Sequence, residues 1–264
     1  MSDGGATNRR SLVGFVVLGV VCCLVGSVRS VVPLKDPHWH PATATWYGDP
    51  DGDGSDGGAC GYGSLVDVRP MRARVGAVSP VLFRDGEGCG ACYKVKCLDS
   101  GICSRRAVTI IVTDECPGGY CAFGRTHFDL SGSAFGRMAV SGESSQLRNR
   151  GEISVVFRRT PCKYPGKNVA FHVNEGSTDY WLSLLVEFEG GDGDIGSMHI
   201  RQASSPNWME MKHLWGANCF SADSLPQNKC LILWLHFMLP LNHQYLQAQA
   251  GSVCDSLPHR WMMM

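Results

Sequence analysis

Eight cysteines at positions 60, 89, 92, 97, 103, 116, 121 and 162 constrain this chain more than any other feature. They are embedded in short β-type runs punctuated by glycine and aspartate. An even set of this size reads as a disulfide framework if the chain enters an oxidising compartment. The N-terminus predicts that it does. Arg9 and Arg10 precede an apolar run over 12–26, followed by the small residues Ser27 and Ser30. About 15 apolar residues fall short of the roughly 20 that a spanning helix needs. We therefore expect residues 1–30 to be a cleaved signal carrying Cys22 and Cys23 away, with no integral membrane segment afterwards. The rival readings of Cys89-Gly-Ala-Cys92, a thioredoxin-like redox pair or half a zinc knot, belong mainly to reducing compartments and lack a surrounding βαβ pattern.

Lys plus Arg and Asp plus Glu are balanced at 24 each. No basic footprint for a phosphate backbone is present, so nucleic acid is not an expected partner. An acidic substrate or an anionic membrane is equally unsupported. A large ligand for this chain would be neutral.

Alternation marks strands at 93–97, 108–112 and 153–157. The one modest helix signal lies at 131–139, with Ser131 as its cap. Strands with little helix predict an all-β barrel or sandwich. Two prolines interrupt the pattern between 158 and 167, which predicts a domain boundary. A second β region follows over 169–173 and 181–188. Its alternation puts Leu182, Leu184, Val186 and Phe188 on one face and Trp181, Ser183 and Glu187 on the other. Beyond Ala217 the character changes. Residues 219–264 hold four charged side chains and three cysteines, and the largely apolar stretch 231–239 shows no clear alternation.

Asp49-Pro-Asp51-Gly-Asp53-Gly54 matches the opening of an EF-hand loop. The twelfth position is Cys60, where a bidentate Glu is required, so a solvated turn is the better reading and no metal is expected. Asp114 and Asp129 are the most chemically suggestive carboxylates, since glycosidic cleavage uses a separated pair. Asp129 in His127-Phe128-Asp129 has aromatic and imidazole neighbours that would raise its pKa. Capping of the following helix is the competing role. Trp46, Tyr47, Trp181 and Trp215 would suit a sugar ligand, because pyranose CH faces pack on aromatic rings.

Taken together, several motifs resemble the beta-expansins of plants, the group that includes grass-pollen group-1 allergens. They are Thr45-Trp46-Tyr47-Gly48, Gly57-Gly58-Ala59-Cys60-Gly61, Gly88-Cys89-Gly90-Ala91-Cys92-Tyr93, His127-Phe128-Asp129-Leu130-Ser131-Gly132, Phe157-Arg158-Arg159 and Gly191-Asp192-Gly193-Asp194-Ile195. The likeness covers roughly residues 40–217. It implies a double-psi β-barrel over 40–161, similar to family-45 glycoside hydrolases, then a linker at 162–167. An immunoglobulin-like carbohydrate-binding β-sandwich is implied over 168–217, incomplete because 218–264 diverge. We expect that tail to be disordered.

The implied disulfides are Cys60–Cys89, Cys92–Cys162 and Cys97–Cys103, while Cys116 and Cys121 are close enough in sequence to pair with each other. The implied polysaccharide groove is Thr45, Trp46, Tyr47, Asp114, His127 and Asp129, with Trp181 and Trp215 as a second-domain platform. The implied function is that of a secreted, monomeric, cofactor-free protein of the cell wall, which binds cellulose and matrix glycans (xylan or glucan) and loosens them without hydrolysis. Two alternatives accompany it. One is an endoglycanase with Asp129 as acid and Asp49 as base, since Asp49 follows Thr45 at the spacing where related hydrolases carry their base. The other is an inactive carbohydrate-binding product of an altered transcript.

Overall fold

Valine, isoleucine and threonine recur in short alternating runs in the first half of the chain, and six of its segments close on themselves. In the computed structural model they are β1 (His40–Tyr47), β2 (Val75–Val78), β3 (Cys92–Cys97), β4 (Val108–Glu115), β5 (His127–Ser131) and β6 (Ile153–Arg159). The structure describes residues 37–178, 180–191, 193, 195–222, 231–238, 245–253 and 261–262. The expected signal at 1–30 lies outside them. The strands form a closed barrel in the order β1-β5-β2-β4-β3-β6, with β1 parallel to β5 and antiparallel to β6. Closure leaves no open edge.

Three short helices decorate it: α1 (Pro80–Phe83), α2 (Gly132–Gly136) and α3 (Ser144–Arg148). Ser131 Oγ accepts the Ala134 N–H at the start of α2, as its position predicts. That cap is Ser131 and not Asp129. The barrel interior is filled by Ala44, Tyr93, Ile110, Phe128, Leu130 and Phe157, among others. Tyr93, Phe128 and Phe157 meet in tilted or edge-to-face contacts 5.1–5.8 Å apart. Four disulfides, Cys60–Cys89, Cys92–Cys162, Cys97–Cys103 and Cys116–Cys121, staple this part of the chain in the expected pairing.

The second half gives β7 (Ala170–Val173), β8 (Leu182–Glu187), β9 (Ile195–Gln202), β10 (Met209–Trp215), β11 (Asn218–Ser221), β12 (Leu231–Met238), β13 (Tyr245–Val253) and β14 (Trp261–Met262). Their order is β13-β12-β9-β10-β11-β8-β7-β14. Strand β10 joins the two halves: Met209–Met211 pair with β9, while Lys212, His213 and, beyond a register shift, Trp215 pair with β11. Phe171, Leu182, Leu184 and Val186 of one half share a single core with Met198, Ile200, Leu231, Leu233 and Leu235 of the other. Two sheets facing across one core make a sandwich.

Two expectations are corrected. The described parts of the tail are strand, with β11 paired to β8 and β10, and β12 held between β9 and β13. Alternation was hidden in 231–238 because Ile232 and Trp234 are apolar too, yet Leu231, Leu233 and Leu235 do point into the core. Phe188, expected on the same face as Val186, instead packs on Tyr164 and joins the barrel cluster. The positive φ of 57° at Phe188 ends the strand and turns the ring across.

Glycines line the seam between barrel and sandwich. A Cβ on Gly86 would lie 2.7 Å from Gly216 N, and one on Gly216 would lie 2.5 Å from Ala59 O. Ala217 N–H donates to Cys60 O across the same seam.

Candidate functional site

Strand pairing places four residues in one row across the barrel. Thr45 pairs with Asp129, Asp129 with Ala77, and Ala77 with Asp114. Paired residues on neighbouring strands present their side chains to the same face. On β1 the alternate positions Ala44 and Trp46 turn to the barrel core, leaving Thr43, Thr45 and Tyr47 on the face with this row. Ala77 is buried but stands outside the core cluster, so its methyl group lies between the two carboxylates.

A hydrogen-bonded chain organises the Asp129 end. Thr45 Oγ1 donates to Asp129 Oδ1 at 2.8 Å and stands 2.8 Å from His127 Nε2. Since that hydroxyl proton is committed to Asp129, Nε2 must carry the hydrogen. His127 Nδ1 is then the acceptor for Thr43 Oγ1 at 2.7 Å. Arg125 reaches Thr43 Oγ1 and also pairs with Glu152. The imidazole is fully buried, and desolvation holds its pKa down at about 4 despite Glu152 nearby. It is therefore neutral, which the tautomer argument requires. Burial raises the pKa of Asp129, the Thr45 hydrogen bond opposes this, and the Asp114 charge adds to it. Burial and both carboxylates push the Tyr47 phenol up.

Asp114 is held differently. Its Oδ1 accepts the N–H of Ala59 at 2.7 Å and of Glu115 at 2.8 Å. Gly58 makes this possible, because a Cβ there would sit 2.5 Å from Thr113 O. The Gly57-Gly58-Ala59 motif thus brings a backbone donor against the carboxylate.

The structure brings together Thr45, Tyr47, Asp114, His127 and Asp129. Trp46 does not join them. Its ring turns to the opposite side of β1, where Nε1 donates to Arg148 O at 3.1 Å. Consecutive strand residues face opposite ways, so Trp46 and Tyr47 could not both have lined the row. Asp49 is exposed, and the carboxylate whose charge bears on Asp129 is Asp114. Asp51 and Asp53 are engaged by Arg148 and Arg72, which leaves the aspartate loop a surface turn. Among the described residues no group of His, Cys, Asp and Glu is arranged to hold a metal ion.

In the sandwich, Trp181 stacks on Phe220, with centroids 6.2 Å apart and planes at 29°. Trp215 is half exposed and lies so near Gly61 that a Cβ there would be 2.7 Å from its ring. Sequence reasoning missed Phe220, which lay in sequence set aside as divergent. It also missed Tyr120, whose ring stacks on His127 at 5.9 Å and 15°. Nothing in the local pattern Gly118-Gly119-Tyr120 distinguishes that side chain from any loop tyrosine.

A barrel carrying this polar row, followed by a β-sandwich with exposed tryptophan, defines an expansin-type architecture, and comparison with known proteins agrees. Residues 75–157 match the family described as lytic transglycolase, and residues 169–248 match the expansin C-terminal domain. Expansin-B16 of Oryza sativa subsp. japonica is 79% identical over 192 residues, covering 73% of this chain and 71% of that protein. Expansin-B3 of Arabidopsis thaliana is 73% identical over 210 residues, covering 77% and 79%. The chain belongs to the beta-expansins. Among solved structures, an expansin of Clavibacter michiganensis shares the fold at a TM-score of 0.62 and 20% identity, covering 86% of this chain and 96% of that one. A mutant of the same bacterial expansin, also at 0.62, was solved in complex with cellohexaose.

Proposed function

We propose that this chain is an exported wall-loosening protein that grips a neutral glucan or xylan along the barrel row and the tryptophan surface, and releases it uncut. The observation that carries this reading is the asymmetry of the two carboxylates. Asp129 sits at the end of a hydrogen-bonded chain with a raised pKa, as an acid toward a sugar oxygen would. Asp114 lies across Ala77 with Oδ1 committed to two backbone amides. Hydrolysis needs a second carboxylate working against the first, and Asp49, the expected candidate, is exposed to solvent.

Loosening requires no covalent step. A protein that binds a displaced glycan better than one packed against its neighbours shifts the population toward the displaced state by its differential affinity. Aromatic rings supply contact area at low entropic cost, and the row supplies hydrogen bonds that compete with those between polymers. The four disulfides support export to an oxidising compartment, with residues 1–30 removed and the cell wall as destination. We assign the barrel to 40–161, the linker to 162–167 and carbohydrate binding to the sandwich that follows, including its strands beyond 217.

Creep of isolated walls, measured beside release of reducing ends from cellulose and xylan, tests the proposal. Extension without new reducing ends supports it. Reducing-end release that Asp49→Asn or Asp129→Asn abolishes would make the chain an endoglycanase. Neither activity, from folded protein, would leave only a carbohydrate-binding product.

A further inference from the structure

We propose that Tyr120 is an additional sugar platform, carrying one pyranose ring of a neutral β-linked glycan next to Asp129. The inference rests on the groove reading above and extends it to a residue on the loop between β4 and β5. That loop leaves β4 one residue after Asp114 and enters β5 at His127, so it connects the strands of both carboxylates. The Cys116–Cys121 disulfide closes its first part, with Cα atoms 5.7 Å apart, and Cys116 N–H is anchored to Val78 O. A short cross-linked loop gives its side chains few alternative placements.

Tyr120 uses that anchorage in a specific way. One face of its ring lies nearly parallel to the imidazole of His127, while the residue stays 52% exposed. The imidazole is itself immobilised by Thr43 and Thr45. An aromatic ring backed by a rigid, neutral heterocycle and open to water is a preorganised apolar surface. Charged and amide side chains would offer hydrogen bonds there, but the phenol ring offers a face. His127 precedes Asp129 by two positions on β5, about 7 Å along the strand. A glycan that runs from Tyr120 along β5 would set its next sugar over the Thr45–Asp129 pair.

The test is titration of the full folded chain with cellohexaose, fitting affinity from the His127 imidazole resonances, which report the barrel and not the sandwich. Tyr120→Ala is expected to weaken binding about tenfold. Tyr120→Trp is expected to stay within about threefold of the native chain, because it keeps the platform while changing the phenol. Equal affinity for native protein and Tyr120→Ala would overturn the platform while leaving the groove. Weakening by Tyr120→Ala that Tyr120→Trp fails to restore would also overturn it, assigning Tyr120 a role in loop structure. Native protein whose His127 resonances ignore cellohexaose would overturn both this inference and the groove reading on which it rests.

Discussion

Asp114 and Asp129 stand in the same row of the barrel, two strands apart, with Ala77 paired to both between them. Two strand spacings put their Cα atoms about 10 Å apart. One carboxylate is tied to the hydroxyl of Thr45, the other to the amides of Ala59 and Glu115. The same residue type thus meets two kinds of donor, a side-chain hydroxyl at one end of the row and a pair of backbone amides at the other.

Thr45→Val is nearly isosteric and removes the hydroxyl that lowers the Asp129 pKa. The carboxyl should titrate higher than in the native chain, as followed by its carbonyl carbon resonance. The same change strands the Nε2–H of a buried imidazole, which should cost about 1–3 kcal/mol in urea unfolding. An unmoved Asp129 titration would show that the hydrogen bond has no hold on it.

Stability should fall as pH drops through the window from 6.5 to about 4. His127 takes up its proton near 6.5 when unfolded and only near 4 when folded, so the unfolded state binds more protons between them. Full loss would be on the order of 3 kcal/mol. Asp129 acts in the opposite sense, since its raised pKa makes the folded state hold a proton that the unfolded state releases as pH rises. His127→Gln should flatten the slope of urea midpoint against pH between 6.5 and about 4.

The seam between barrel and sandwich should be intolerant of a single methyl group. Gly86→Ala puts a Cβ 2.7 Å from the Gly216 backbone at a φ of +100°. A loss of about 2–4 kcal/mol is expected from strain and clash together. Gly63→Ala, also at positive φ but with nothing within 4 Å, should cost only about 1–2 kcal/mol, the backbone strain alone. Equal losses in the two variants would mean that the close approach contributes nothing.

Replacing Cys92 and Cys162 together by alanine opens a loop spanning a sequence separation of 70. Chain-entropy arguments put the loss at roughly 4 kcal/mol. Thermal unfolding at fixed pH measures it, against the short Cys116–Cys121 loop as the milder comparison.

Much of the site was legible because its residues sit in motifs whose spacing is local. Thr45 and Tyr47 share a strand face by alternation, and His127 and Asp129 do the same. What the sequence concealed is pairing between distant strands. Ala77 carries no chemical signal, yet register makes it the floor between the carboxylates. Trp46 looked like a groove residue by composition, and the same alternation that admits Tyr47 sends it to the other side. Tyr120 and Phe220 gain meaning only from the rings they stack on. The tail was misjudged for a related reason: divergence from a familiar pattern was taken for loss of order, while Leu231, Leu233 and Leu235 kept the period a strand needs.

The most direct test of the account is the Ala77 methyl resonance during titration with cellohexaose, with the sugar's anomeric signals followed in the same sample. A saturable shift of that methyl, with the anomeric signals unchanged over hours, is the predicted result. A silent Ala77 while the indoles of Trp181 and Trp215 respond would place the glycan on the sandwich alone, and new reducing-end signals would mean the chain cuts what it holds.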